Sequence, residues 1–173
     1  LTHYPKSIEV AKTITAQEAK LQKNRICTIH VPELAKDLVE QIGFEARESE
    51  YVDSKSGISA RMSITAYENL LSTAEHRCLA SGADKTSIRY ADILGMIPSI
   101  IGKVELVYEG EQEGAAFVAE QLIGSASKAL FDKYFPKIKK LKHENDKDPY
   151  DGVLQWFFEE SSFELYDDGS EEA

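Results

Sequence analysis

The segment Asp53-Ser54-Lys55-Ser56-Gly57-Ile58-Ser59-Ala60-Arg61 sets a guanidinium just beyond a flexible Gly/Ser loop, at the opening of a long helical stretch. A cation is locally unfavourable there. The N-terminus of a helix already carries partial positive charge, and a further cation costs a few tenths to ~1 kcal/mol. The same geometry suits an anion, because exposed N–H groups and a planar guanidinium fork together grip phosphate oxygens. Arg61 is therefore the first candidate for chemistry. The plainer alternative is an ion pair between Arg61 and Glu48, Glu50 or Asp53 in the loop before it.

No other motif competes for a catalytic role. The single Gly-Lys pair, Gly102-Lys103, is followed by Val104, and Ile97 stands where a phosphate-binding loop needs its first glycine. There is no G-x-G-x-x-G and no G-x-S-x-G elbow. His3, His30, His76 and His143 lack partners at metal-ligand spacing, so no metal site is expected. Glu75 and His76 read as a surface pair on a helix. Arg77 and Arg89 are open to an intersubunit contact, with nothing to choose between them. A complete enzyme within this piece is not expected.

The helical period dominates the elements around these residues. A helix is expected over 6–23, with Val10, Ile14 and Leu21 on one face and Pro5 at its start. Over 31–47, Val31, Leu34, Ala35, Leu38, Val39 and Ile42 form one wide apolar stripe. The segment 48–57 reads as a loop or a short extended piece. Over 59–81 the stripe is Ile64, Tyr67, Leu71, Ala74 and Cys78, with Ser59 able to cap the start and Gly82 placed for a left-handed stop. A further helix is expected at about 89–96, ended or kinked by Pro98. Residues 98–107 make a short turn running into the apolar Val104–Tyr108, and EGEQEG at 109–114 reads as a glycine-bracketed break. Over 115–135, Ala119, Leu122, Ile123, Ala126 and Leu130 share a face. Asp148 and Pro149 resemble an N-cap and first position for a helix over 149–160 lined by Tyr150, Val153, Leu154 and Phe157. No strand ladder is evident, so the fold class expected is all-α, a helical bundle.

The chain has 173 residues, 30 acidic against 20 basic, for a net charge of −10. That acidity argues against a nucleic-acid partner, which needs clustered cations. Lys137, Lys139, Lys140, Lys142 and Lys147 lie beside Glu144, Asp146 and Asp148 and read as a solvated helix end. No apolar stretch approaches the roughly 18 residues of a membrane span. Trp156, Phe157, Phe158 and Phe163 cluster near the C-terminus, either as core packing or as a partner-binding patch. Cys27 and Cys78 are expected to be reduced, buried small hydrophobes, with a disulfide as the alternative. The chain opens on Leu1 and its only methionines are Met62 and Met96, so an internal piece of a longer, cytoplasmic protein is expected.

Against this reading, SGISARMSITAYENLL, then AEHRCLASG, then DKTSIRYADI, resembles the helical lid of AAA+ ATPases in the group holding the magnesium-chelatase ATPase subunit and its MoxR relatives. The likeness covers about 1–97. It implies that Arg61 matches the sensor 2 arginine, which reaches the γ-phosphate of ATP, and that Ser59 holds the preceding motif position. It implies further that 1–25 is a helical connection from an α/β ATPase core, that 26–106 is the lid, and that 107–173 is a C-terminal helical extension. ATP and Mg2+ would then be cofactors of the intact protein, with none expected in this fragment. The partners would be its own core, the neighbouring subunits of a ring and a client protein. The Walker A and B segments lie outside the piece, so by itself it is expected not to hydrolyse ATP. The rival expectation is a non-enzymatic helical protein–protein interaction module docking through its aromatic C-terminal cluster.

Overall fold

A computed structural model describes residues 4–20, 26–53, 55, 57–59, 61–137 and 149–159. The chain forms two compact units, Leu1–Leu130 and Phe131–Ala173. The first opens with α1, Ile8–Glu18, whose N-cap Ser7 accepts a hydrogen bond from the Val10 N–H. Strand β1, Thr28–His30, leads into α2, Glu33–Glu48, entered through Pro32. Then come α3, Met62–Ala80, strand β2, Lys85–Ser87, and a 3-10 turn over Tyr90–Met96. Helices α4, Ile97–Ile101, α5, Tyr108–Glu113, and α6, Ala115–Tyr134, follow, and α6 runs on into the second unit, which holds α7, Asp151–Glu159.

The core is organised around α3. It packs against α1 and α2 on one side and against the 3-10 turn and α4 on another. Met62, Ala66, Leu70, Leu71, Ala74 and Cys78 are buried, whereas Ile64 and Tyr67 are only half-buried. A helix covered on two sides buries a wider arc than one stripe predicts, and here that arc is turned toward Ala66 and Leu70. On α2 the expected Ala35, Leu38, Val39 and Ile42 are buried, together with Ala46, whereas Leu34, and Val31 ahead of the helix, are only half-buried. All five expected residues of α6 are buried as well: Ala119, Leu122, Ile123, Ala126 and Leu130.

The fold is mostly helical, as expected, but it holds one strand pair. β1 and β2 run parallel in register, Thr28 opposite Lys85, Ile29 opposite Thr86 and His30 opposite Ser87. Three residues are too few to show an alternating pattern, and the partner lies beyond two intervening helices, so no local signal marks the pair. The same crossover brings the cysteines together. α3 ends in a Schellman turn, with the Ala83 N–H on the Cys78 carbonyl, the Gly82 N–H on the Leu79 carbonyl, and Gly82 at φ +70°. That turn feeds β2 and sets Cys78 beside Cys27 at the mouth of β1. The two form a disulfide with Cα atoms 6.6 Å apart, which corrects the expectation of reduced thiols.

The helical turn expected at about 89–96 is 3-10 and stops at Met96, two residues before Pro98, and Pro98 stands in the first turn of α4, where its missing N–H has no intrahelical partner to lose. Two further expectations change. Of EGEQEG, residues 109–113 lie within α5, whose first turn carries Glu109 and Glu111 where the helix dipole favours acidic groups, and only Gly114, at φ +95°, makes the expected break. On α1 the buried residues are Ala11 and Thr15, while Val10 and Ile14 are exposed. Leu21 and Asp148 lie outside the described residues. None of these helices is long and apolar enough to cross a membrane.

The disulfide closes a loop of 51 residues across the α2–α3 pair. Constraining a loop of that length in the unfolded chain is worth about 3–4 kcal/mol. The double variant Cys27→Ala/Cys78→Ala is expected to lose about that much in urea unfolding, and reduction of the wild-type protein should reproduce the loss.

Candidate functional site

The loop ahead of α3 is held by pairing with a distant segment. Val52 bridges Leu106 and Ile58 bridges Val104, both antiparallel. The Asp53 N–H donates to the Glu105 carbonyl, the Val107 N–H to that of Tyr51, and the Ser59 N–H to that of Lys103 at 3.0 Å. Between the two bridges one side runs from 52 to 58 and the other only from 106 to 104, which leaves a bulge on the first. Asp53 closes the bulge: its Oδ1 accepts the Lys55 N–H and its carbonyl accepts the Gly57 N–H, each at 2.7 Å, with Gly57 at φ +63°. Gly110 on α5 must lack a side chain beside this seam, since a Cβ there would sit 2.5 Å from the Tyr51 carbonyl oxygen.

Ser59 sits where the bulge meets α3. Its carbonyl accepts the Met62 N–H at 2.9 Å and its Oγ accepts the Arg61 N–H at 3.3 Å. The hydroxyl therefore orders the turn into the helix, and the cap position itself belongs to Arg61, whose side chain makes no capping bond. Arg61 is exposed, and among the described residues no carboxylate pairs with it. The candidate partners are placed elsewhere: Glu48 and Glu50 are exposed, and Asp53 serves its own bulge. Arg61 and Ser59 thus lie together at one surface.

The remaining candidates are not brought to that surface as sites. Arg77 is held as a structural fork. Its Nε and Nη2 donate to the two Asp92 oxygens at 3.1 and 2.9 Å, Nη1 to Thr86 Oγ1 and Nη2 to the Ser87 carbonyl. It locks β2 to the 3-10 turn. Arg89 donates its backbone N–H to Asp92. His76 is exposed on α3, and no metal-binding group of His, Cys, Asp or Glu occurs among the described residues. On α7, within its own unit, Val153, Leu154, Trp156, Phe157 and Phe158 are all exposed, Phe158 by 87%. Phe163 and Lys139, Lys140, Lys142 and Lys147 lie outside the described residues; Lys137 is exposed.

Sequence reasoning missed a polar seam between α1 and α2. Asp37 and Glu40 are buried on α2, at 0% and 4% exposure. Lys12 pairs with Asp37 at 2.7 Å and with Glu9 and Glu33 at 3.1 and 3.4 Å. Its hydrogen bond to Asp37 above all, against the opposing effect of burial, holds the ammonium well above the ordinary lysine range. Thr15 donates its hydroxyl to Glu40. Burial nevertheless dominates and raises the Glu40 pKa, the nearby Arg47 and Lys12 only partly offsetting it. The seam explains why α1 turns Ala11 and Thr15 inward: two carboxyl groups on α2 must be matched by polar groups. The groove above it, about 430 Å³, is lined by Lys12 and Lys36 facing Glu9 and Glu33, whose charges already answer one another.

Comparison of the chain with family models, with curated proteins and with solved structures finds no match.

Two outcomes follow from the seam. A carboxyl with a raised folded pKa binds its proton more tightly when folded, so its contribution is fully present below the ordinary Glu value of about 4.3 and is lost as pH rises through the folded value. Glu40→Gln should therefore gain stability over wild type as pH increases from about 4 to 8, read from urea midpoints across that range. Lys12→Met withdraws the cation from buried Asp37 and should cost about 2–4 kcal/mol at neutral pH, measured in the same way.

Proposed function

We propose that this chain is the helical lid of an AAA+ ATPase of the magnesium-chelatase/MoxR-like group, with a C-terminal helical extension. The observation that carries the reading is the exposed Arg61 guanidinium at the start of α3, with no carboxylate partner among the described residues. In the intact protein the nucleotide lies between an α/β core and this lid, with Mg2+ on its phosphates. Arg61 contacts the terminal phosphate, and Ser59 orders the turn that presents it. Loss of that phosphate removes a contact made only in the ATP state, which is the differential affinity any such switch requires. Neighbouring subunits of a ring receive the movement through head-to-tail interfaces, and an unidentified client protein receives the work.

The reading places the protein in the cytoplasm, where glutathione opposes disulfides. The Cys27 and Cys78 sulfurs are buried, which restricts attack by an external thiol.

A second reading is favoured by α7. A nine-residue helix exposing Val153, Leu154, Trp156, Phe157 and Phe158 suits a non-enzymatic interaction module, since aromatic anchors dominate interface energetics. It needs Arg61 to serve only as a structural residue, tied into a salt bridge.

Arg61→Ala in the full-length protein separates the two. Losing a charge-assisted hydrogen bond to phosphate should lower ATP turnover by about 10- to 100-fold, with the circular dichroism and urea midpoint of this lid unchanged. Wild-type turnover in that variant rejects the lid reading.

A further inference from the structure

We infer that Tyr4 is a positioning residue for Arg61, tying the segment ahead of α1 to the turn that presents the guanidinium. The inference rests on the lid reading of Arg61. The Tyr4 hydroxyl donates to the Ile58 carbonyl, 54 residues away. The next N–H in the chain, that of Ser59, donates to the Lys103 carbonyl at 3.0 Å. One peptide plane, between Ile58 and Ser59, is therefore gripped on both sides, by the N-terminal segment through its oxygen and by the return strand through its nitrogen. Ser59 then bonds the Arg61 N–H through its Oγ and the Met62 N–H through its carbonyl. A rotation of the gripped plane must change the direction in which Arg61 leaves the helix start.

The Tyr4 ring is itself fixed. The Arg47 guanidinium lies 4.5 Å from its centroid and 4.7 Å from that of Phe44 on α2. Arg47 Nε is buried and makes no hydrogen bond among the described residues, and burial lowers the guanidinium pKa. Arg47 therefore meets the two rings through its guanidinium, alongside its longer-range attraction to Glu40. Pro5 follows Tyr4 and restricts the backbone between this anchor and α1. The Ile58 carbonyl is thereby held from α2 through the Tyr4 ring, and the turn that leads to Arg61 is held with it.

The test sets Tyr4→Phe beside Arg61→Ala in the full-length protein. Tyr4→Phe keeps the ring against Arg47 and removes only the hydroxyl. It is expected to raise KM for ATP about three- to tenfold, the scale of one hydrogen bond. Amide hydrogen exchange at 57–62 should quicken, while the amides of Leu70 and Ala74 in the middle of α3 keep their wild-type rates. An unchanged KM with unchanged exchange at 57–62 overturns the inference. Exchange that quickens along the whole of α3 also overturns it, because Tyr4 is then a general stabiliser. If Arg61→Ala lowers turnover and Tyr4→Phe leaves KM alone, only the role of Tyr4 falls. If Arg61→Ala leaves turnover untouched, the lid reading falls and the role of Tyr4 with it.

Discussion

The hydrogen bond from the Ser59 N–H to the Lys103 carbonyl is the point on which the candidate site turns. Residues on either side of a Gly/Ser bulge have many accessible conformations, and holding them costs about 1–2 kcal/mol per residue in backbone entropy. Here that cost is met from a distance. The 3-10 turn and α4 carry the chain back along α3, so that 103–107 lies antiparallel to 51–59. α3 can then begin at a defined place, with Arg61 at its mouth rather than somewhere along a fraying end. A helix start of this kind derives its order from the tertiary fold, since Arg61 supplies no side-chain cap.

Charge is distributed with the same economy. Arg77 and Asp92 form a forked pair between β2 and the 3-10 turn, and Lys12 answers Asp37 between α1 and α2. Buried pairs of this sort contribute little net stability, because desolvation offsets most of the attraction, but removing one partner is costly. They act as registers: each admits one arrangement of the elements it joins. Arg61 differs from Lys12 and Arg77 in this respect. It is a guanidinium placed at the positive end of a helix, exposed, and outside these pairings among the described residues. A locally unfavourable placement that the fold takes such trouble to define is where a bound anion has the most to offer.

The apolar residues of α7 stand in contrast. Trp156 and Phe157 meet edge to face, with ring centroids 4.9 Å apart, and both are nonetheless half-exposed. In the same unit Tyr150 donates to the Pro136 carbonyl at 2.7 Å, which anchors the entry to the helix. The amphipathic pattern in the sequence was real, but a pattern states only that a face is apolar, not whether anything covers it.

The longer helices were legible in the amino-acid order, whereas the short α5 was not. The α2 stripe through Leu38 and Ile42, the α6 stripe through Leu122 and Ala126 and the Gly82 stop all depend on spacing within a few turns, which is local information. The Arg61 anomaly was legible for the same reason, as a cation next to a helix start. The parallel β1–β2 pair, the Cys27–Cys78 disulfide, the burial of Asp37 and Glu40 and the grip on the Ile58–Ser59 peptide were not. Each joins residues separated by at least one intervening element, and no periodicity in the chain encodes which distant groups will meet. Sequence by itself determined where the longer helices form and which cation stood at a helix start; only the tertiary structure decided that this cation stays exposed while Lys12 and Arg77 are matched by Asp37 and Asp92, because that outcome depends on which elements pack together.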